Sequence, residues 1–265
     1  MSSGPPIVNA ARIVKRYGAV AALSDLNLRV MPGDVYGLLG PNGAGKTTTL
    51  RILSALETPT SGSVRVVGYD PVSRKVEVKR RTGYVPETAL LYESLTPREY
   101  FEFVASTREL DSRVRDRIAQ LASVFDIGGR LDVPIGSLSM GTKQKISIIA
   151  AMMHRPSLLL LDEPLNGLDA KSSRILKELI LLHVESGGAV IFSTHVMEVA
   201  ESVCTRIGII NGGRIVAEGT VDELRGLSDG RGRSLEDIYL KFTNEEEFIA
   251  SAVAKLRQGV PNGPG

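Results

Sequence analysis

The stretch "VYGLLGPNGAGKTTTL", residues 35–50, constrains the fold more than any other part of the chain. A short apolar run fit for an interior strand breaks into a glycine-rich turn, and the turn opens directly into a helical segment. Gly40 to Thr47 fits the pattern G-x-x-x-x-G-K-[ST], in the strand-before, helix-after setting that this pattern requires. Glycines let backbone N–H groups turn inward around phosphate oxygens. Lys46 is then placed to reach β- and γ-phosphates, and the Thr47 hydroxyl to ligate a divalent cation. The candidate phosphate contacts are Gly40, Pro41, Asn42, Gly43, Ala44, Gly45, Lys46, Thr47 and Thr48. A strand feeding a helix through such a loop predicts an α/β architecture with its ligand at strand C-termini.

The rest of the chain is consistent with that class. Its 265 residues, 43% hydrophobic and 23% charged, can bury a substantial core. A formal net charge of +2 does not mark a general nucleic-acid binder. The single cysteine, Cys204, excludes an internal disulfide and reads as a small buried hydrophobe. No run approaches the ~18 apolar residues that span a bilayer, and the N-terminus lacks a secretory pattern. These features predict a cytoplasmic protein whose membrane role, if any, needs a separate partner. The Gly/Pro-rich tail "RQGVPNGPG" predicts disorder.

Along the chain, Leu26, Leu28 and Val30 alternate with polar neighbours, as in a half-buried antiparallel strand. "VRVVGYD" is a further strand candidate. Thr96, Pro97 and Glu99 form a capping box with proline at the first helical position. Val114, Ile118, Leu121 and Phe125 mark a second helix, and "KISIIAAMMH" a third that starts near Ser139. Residues 88–153 are therefore expected to be mostly helical, inserted into the α/β chain. The pattern resumes with "LLLLD" as a buried parallel strand, "RILKELILLHV" as a helix and "AVIFST" as a strand. "RIGII" and "GRIVAEG" flank an "NGG" hairpin turn. From Gly226 onward, "SLEDIYLKFTNEEEFIASAVAKL" predicts C-terminal helix. The expected organisation is a unit over residues 1–225, with a helical extension and flexible tail over 226–265.

Three further motifs carry chemistry. "LLLLDEP" ends a buried strand in Asp162, which can hold Mg²⁺, followed by Glu163, which can orient or deprotonate a water. "STH" puts His195 just past another strand, where it can donate to a phosphate oxygen. In "LSMGTKQK", Ser139 caps a helix whose N-terminal N–H groups can meet an anion. Tyr17, after the first strand, is an aromatic able to stack on a nucleobase. His154 and His183 lie in helical segments without such context and receive no role.

Together these residues resemble the nucleotide-binding subunit of ABC transporters, over about residues 7–225. The resemblance implies ATP and Mg²⁺ as ligands, with Tyr17 on the adenine, "NGLD" (Asn166–Asp169) as a loop contributing Asp169 to the nucleotide, and His195 as switch histidine. "LSMGTKQK" falls where that family has LSGGQ. Two cassettes in such proteins pack head to tail, so Ser139 and Gly141 are expected to face the γ-phosphate held by the partner. Met140 and Thr142 depart from the family's glycine and glutamine. Glu87 in "GYVPE" stands where glutamine is usual, and its carboxylate is a candidate Mg²⁺ ligand.

The resemblance therefore implies an ATPase that dimerises, a homodimer being expected, and drives a separate membrane permease from the inner face of the membrane. The "GYVPE", "SMGTKQK" and "SLEDIYLKF" segments resemble the bacterial branch with ABC-2 export permeases. Nucleic acid is not an expected partner. The alternatives are an ABC-type ATPase of nucleic-acid maintenance or translation, a P-loop kinase, and a nucleotide-gated binding module with little turnover. The transported substrate is not written in this chain.

Overall fold

Continuous apolar runs become interior strands, and alternating runs become strands with one wet face. The structure is a computed structural model that describes residues 4–226 and 234–243. The order is β1 (Val8–Tyr17), β2 (Val20–Val30), β3 (Val35–Leu39), α1 (Lys46–Leu53), β4 (Ser61–Val66), α2 (Lys75–Arg81), β5 (Thr82–Val85), α3 (Pro97–Thr107), α4 (Val114–Val124), α5 (Met140–Met152) and β6 (Leu158–Asp162). It continues with α6 (Ala170–Glu185), β7 (Ala189–Thr194), α7 (Met197–Val203), β8 (Arg206–Asn211), β9 (Arg214–Gly219), α8 (Val221–Gly226) and α9 (Leu235–Thr243).

Two sheets form. One is antiparallel, ordered β2-β1-β4; the other is ordered β5-β6-β7-β3-β8-β9 and is parallel except for β9. Every residue of β3, β6 and β7 is buried, as parallel strands covered on both faces require. The alternation along β6 shows the two covers. Leu158 and Leu160 join Leu26, Leu28, Val30 and Leu50 in one core, under the antiparallel sheet and α1. Leu159 and Leu161 join Phe101, Leu121, Phe125, Ile146 and Ile149 in a second core, under the helical layer.

The helical stretch contains α3, α4 and α5. The Thr96 hydroxyl accepts from the Glu99 N–H while Glu99 accepts from the Thr96 N–H at 2.8 Å, so the capping box forms. The "NGG" hairpin forms too, with Asn211 opposite Arg214. Two details differ from the sequence reading. The strand expected over "VRVVGYD" stops at Val66, because Val67 and Gly68 take positive φ (49° and 81°) and Tyr69 folds back to pair with Val66. The highly charged α2 and the four-residue β5 carry no periodic signal and were not expected. Of the C-terminal helix, α9 is described and packs Leu235, Ile238 and Tyr239 against Ile207 and Ile209; the remainder and the Gly/Pro tail lie outside the described residues. Among the described residues, no helix is long and apolar enough to cross a membrane.

Candidate nucleotide site

The parallel order β6-β7-β3 brings three strand C-termini side by side, and each delivers functional groups to one cleft. The loop after β3 runs into α1. Gly45 sits at its N-terminus with φ 110°, and a Cβ there would fall 2.6 Å from Leu23 Cδ2 and 2.8 Å from the Ala22 carbonyl. Only glycine fits, because the arm formed by β1 and β2 presses on the loop from outside. The cleft, about 450 Å³, is lined by Ala22, Pro41, Asn42, Gly43, Gly45, Lys46, Thr47, Thr48, Glu87, Asp162 and Glu163.

Lys46 is buried, with 6% of its surface exposed. Its ammonium donates to the Gly40 carbonyl at 2.6 Å and the Pro41 carbonyl at 3.3 Å, and lies 3.5 Å from Glu163 Oε1. A buried ammonium held by carbonyls and a carboxylate is a cation whose partners an incoming phosphate can replace. At the end of β6, Asp162 is 1% exposed and accepts from Ser193 Oγ at 2.6 Å through Oδ1. Its Oδ2 is buried with no partner. An orphaned carboxylate oxygen, from a residue lining the same cleft as Thr47, fits a hydrated divalent cation, which needs few protein oxygens when phosphate supplies the rest.

Glu163 takes φ 45°, a left-handed conformation uncommon for a glutamate. Its N–H is held by Ser193, at 3.0 Å from the hydroxyl and 3.2 Å from the carbonyl. This turn aims the carboxylate back into the cleft, where Oε1 accepts from His195 Nδ1 at 2.9 Å. That bond places a ring proton on Nδ1 and leaves Nε2 as the free edge of a half-exposed ring. Ser193 was missed in the sequence. Its one signal is a hydroxyl at the end of a strand that is otherwise apolar, and it positions both acidic residues at once.

The structure brings the phosphate loop, Asp162, Glu163, Glu87 and His195 together. It does not bring Tyr17, Ser139, Gly141 or Asp169 into the lining of that cleft. Tyr17 ends β1, with Lys15 Nζ 4.8 Å above its ring. Ser139 caps α5 by accepting from the Thr142 N–H, and Gly141 has a partner inside the chain: a Cβ there would lie 2.5 Å from the Gly167 carbonyl. Asp169 caps α6. It accepts from the Ser172 N–H at 2.7 Å and from Lys145, and these bonds hold its carboxyl down at about 2. Gln144 Nε2 donates to the Pro164 carbonyl at 3.2 Å and ties α5 to the turn after Glu163. Cys204 packs over Gly37, and burial pushes its thiol up to about 12, so it is an inert filler.

A glycine-rich loop at a strand C-terminus, a buried lysine, and an Asp-Glu pair on the next strand but one define a phosphate-loop nucleotide site. The family model described as ABC transporter matches residues 23–166, and the chain belongs to that family. It is 36% identical over 82% of its length to the daunorubicin/doxorubicin resistance ATP-binding protein DrrA of Streptomyces peucetius, covering 66% of that protein. It is 34% identical over 93% of its length to the probable multidrug ABC transporter ATP-binding protein YbhF of Escherichia coli, covering 42% of it. The chain thus spans well under the full length of these relatives. A solved ATP-binding subunit of an ABC transporter superposes with a TM-score of 0.86 at 32% identity, over 89% of this chain and 99% of that one. A dimeric ATP-binding cassette in a post-hydrolysis state, bound to ADP and Pi, superposes with 0.73 at 25% identity, over 80% and 98%.

Proposed function

We propose that this chain binds and hydrolyses MgATP as the motor subunit of an exporter. Two copies close head to tail around two nucleotides and move a separate integral membrane permease. The observation that carries the reading is the Glu163 carboxylate, held between Lys46 and His195 beside the orphaned oxygen of Asp162. The lysine that meets phosphate and the base that meets water are thereby within reach of one reacting phosphorus.

Each group has a stated task. Backbone N–H groups of Gly43 to Thr47 and the Lys46 ammonium bind phosphate oxygens. Thr47, Asp162 and Glu87 would hold Mg²⁺, which neutralises phosphate charge when bound. Glu163 accepts the proton of the attacking water. His195 Nε2 can donate to a γ-phosphate oxygen only as imidazolium, or after its Nδ1–H leaves Glu163. Phosphate binding and release of the base are therefore linked at this histidine. Tyr17 stacks on the adenine from the β1–β2 arm. Ser139, Gly141 and Asp169 lie outside the cleft and serve the partner's nucleotide across the dimer. The dimeric ADP- and Pi-bound cassette supports that arrangement.

Export, and cargo of the drug or antibiotic class, follow from the names of DrrA and YbhF. A place on the cytoplasmic face, through the permease, follows from the family. The test is twofold. The purified chain should release phosphate from MgATP, and the chain isolated from membranes should bring a polytopic membrane protein with it. No phosphate release from the isolated chain or from that complex would overturn the reading.

A further inference from the structure

At the far side of the parallel sheet, near the strand N-termini, a second cleft of about 370 Å³ opens between the start of α4 and the turn after α5. Its charged lining is Asp111, Arg113, Arg117 and Arg155, with His154 beside them. Asp111 is used up: it accepts from the Arg113 N–H at 2.9 Å and from Arg113 Nε at 3.0 Å. That leaves Arg117 and Arg155, neither of which has a hydrogen-bonding or ionic side-chain partner among the described residues. Arg117 Nε is buried and unpartnered, and so is His154 Nδ1. Arg155 is exposed and Arg117 half-buried, so the buried, unpaired Nε of Arg117 is the atom that a solvated basic face would not leave without a partner.

We propose that this cleft binds a phosphate group, gripped by Arg117 and Arg155. Three arginines against one aspartate leave the lining two charges short of neutrality, and a phosphate dianion matches that excess. Guanidinium forks pair with phosphate oxygens through parallel N–H bonds, which would also satisfy the orphaned Arg117 Nε. Burial, with Arg155 next to it, lowers the Arg117 pKa, as expected of two cations that face each other without an anion between them. Burial, with Arg108 beside it, holds His154 down at about 4, so it offers a neutral hydrogen-bonding edge at pH 7. The cleft is roomier than a bare phosphate needs, so the group can be free or can terminate a larger molecule such as phosphatidic acid. This site shares no residue with the nucleotide cleft and does not depend on the function proposed for it.

The test uses the full chain with saturating MgADP, so that the phosphate loop is occupied. Inorganic phosphate is titrated calorimetrically, and binding to phosphatidylcholine vesicles containing phosphatidic acid is compared with binding to pure phosphatidylcholine vesicles by flotation. Phosphate binding weakened about tenfold or more in Arg117→Gln/Arg155→Gln, the scale of losing charge-assisted hydrogen bonds, establishes the site with free phosphate as its source. Flotation only with the phosphatidic acid vesicles, lost in the same variant, establishes it with a lipid headgroup as source. Arg155→Gln, at an exposed position, gives the same readout if the double variant fails to fold. Absence of both kinds of binding, or binding that these substitutions leave unchanged, overturns the proposal.

Discussion

Glu163→Gln isolates chemistry from binding. The side chain is buried, its backbone takes φ 45°, and Oε1 accepts from His195 at 2.9 Å with Lys46 Nζ at 3.5 Å. Glutamine has the same volume and tolerates the same backbone, and its amide oxygen can accept both contacts. Fold and loop geometry are therefore retained. The amide cannot take a proton from water, so hydrolysis should fall by about 10²-fold or more, equivalent to roughly 2.7 kcal/mol of transition-state stabilisation. One fewer negative charge near the triphosphate should leave ATP binding as tight as before, or tighter. Phosphate release measures the first effect. Size-exclusion chromatography with light scattering measures its consequence: a monomer without nucleotide and a persistent dimer with MgATP. Hydrolysis at the wild-type rate would remove Glu163 from its role as base. Slow hydrolysis by a chain that stays monomeric at saturating MgATP would keep the base and refute the two-subunit closure.

Lys46→Ala removes the ammonium that meets phosphate, and ATP affinity should fall about tenfold or more, from the ~1.5–3 kcal/mol of a charge-assisted hydrogen bond. Calorimetric titration showing wild-type affinity would refute the phosphate-loop assignment. Gly141→Ala puts a Cβ 2.5 Å from the Gly167 carbonyl. It should therefore cost about 1–3 kcal/mol, seen as a lowered thermal midpoint even without nucleotide; an unchanged midpoint would show that this contact relaxes freely. The Asp169 carboxyl is held down by the Ser172 N–H and Lys145. Its charged form thus stabilises the folded chain fully above about pH 4, the unfolded carboxylate range, and that contribution is lost as pH falls through about 2. The thermal-midpoint gap between wild type and Asp169→Asn should shrink across that window, and a constant gap would refute it.

What the sequence made legible depended on whether a feature was local. The phosphate loop carries strand, turn and helix signals within 16 consecutive residues, so its shape and chemistry could be read together. The Asp162–Glu163 pair was legible because a fully apolar strand points to it. Contacts between distant segments left no such mark. Nothing near His195 announces that its ring meets Glu163, and nothing near Ser193 announces that it holds two acidic residues. The resemblance gives Gly141 only a partner's phosphate to face; the Gly167 backbone supplies a reason for glycine inside the chain. The β4 strand was read too long because Val67, a β-branched residue, takes a positive φ that its residue type disfavours.

Helix α5 behaves as a stiff rod with three attachments. Its 13 residues span about 20 Å at 1.5 Å per residue. One end carries Ser139 and the Gly141–Gly167 contact, Gln144 is pinned to the turn beyond Glu163, and the other end runs into His154 and Arg155. With Gln144 as fulcrum, a tilt of about 5° displaces the far end by about 1 Å. That is enough to open or shut the reach of an arginine fork. Such a tilt would connect the turn beyond Glu163 with the arginine-lined surface at the other end of the helix.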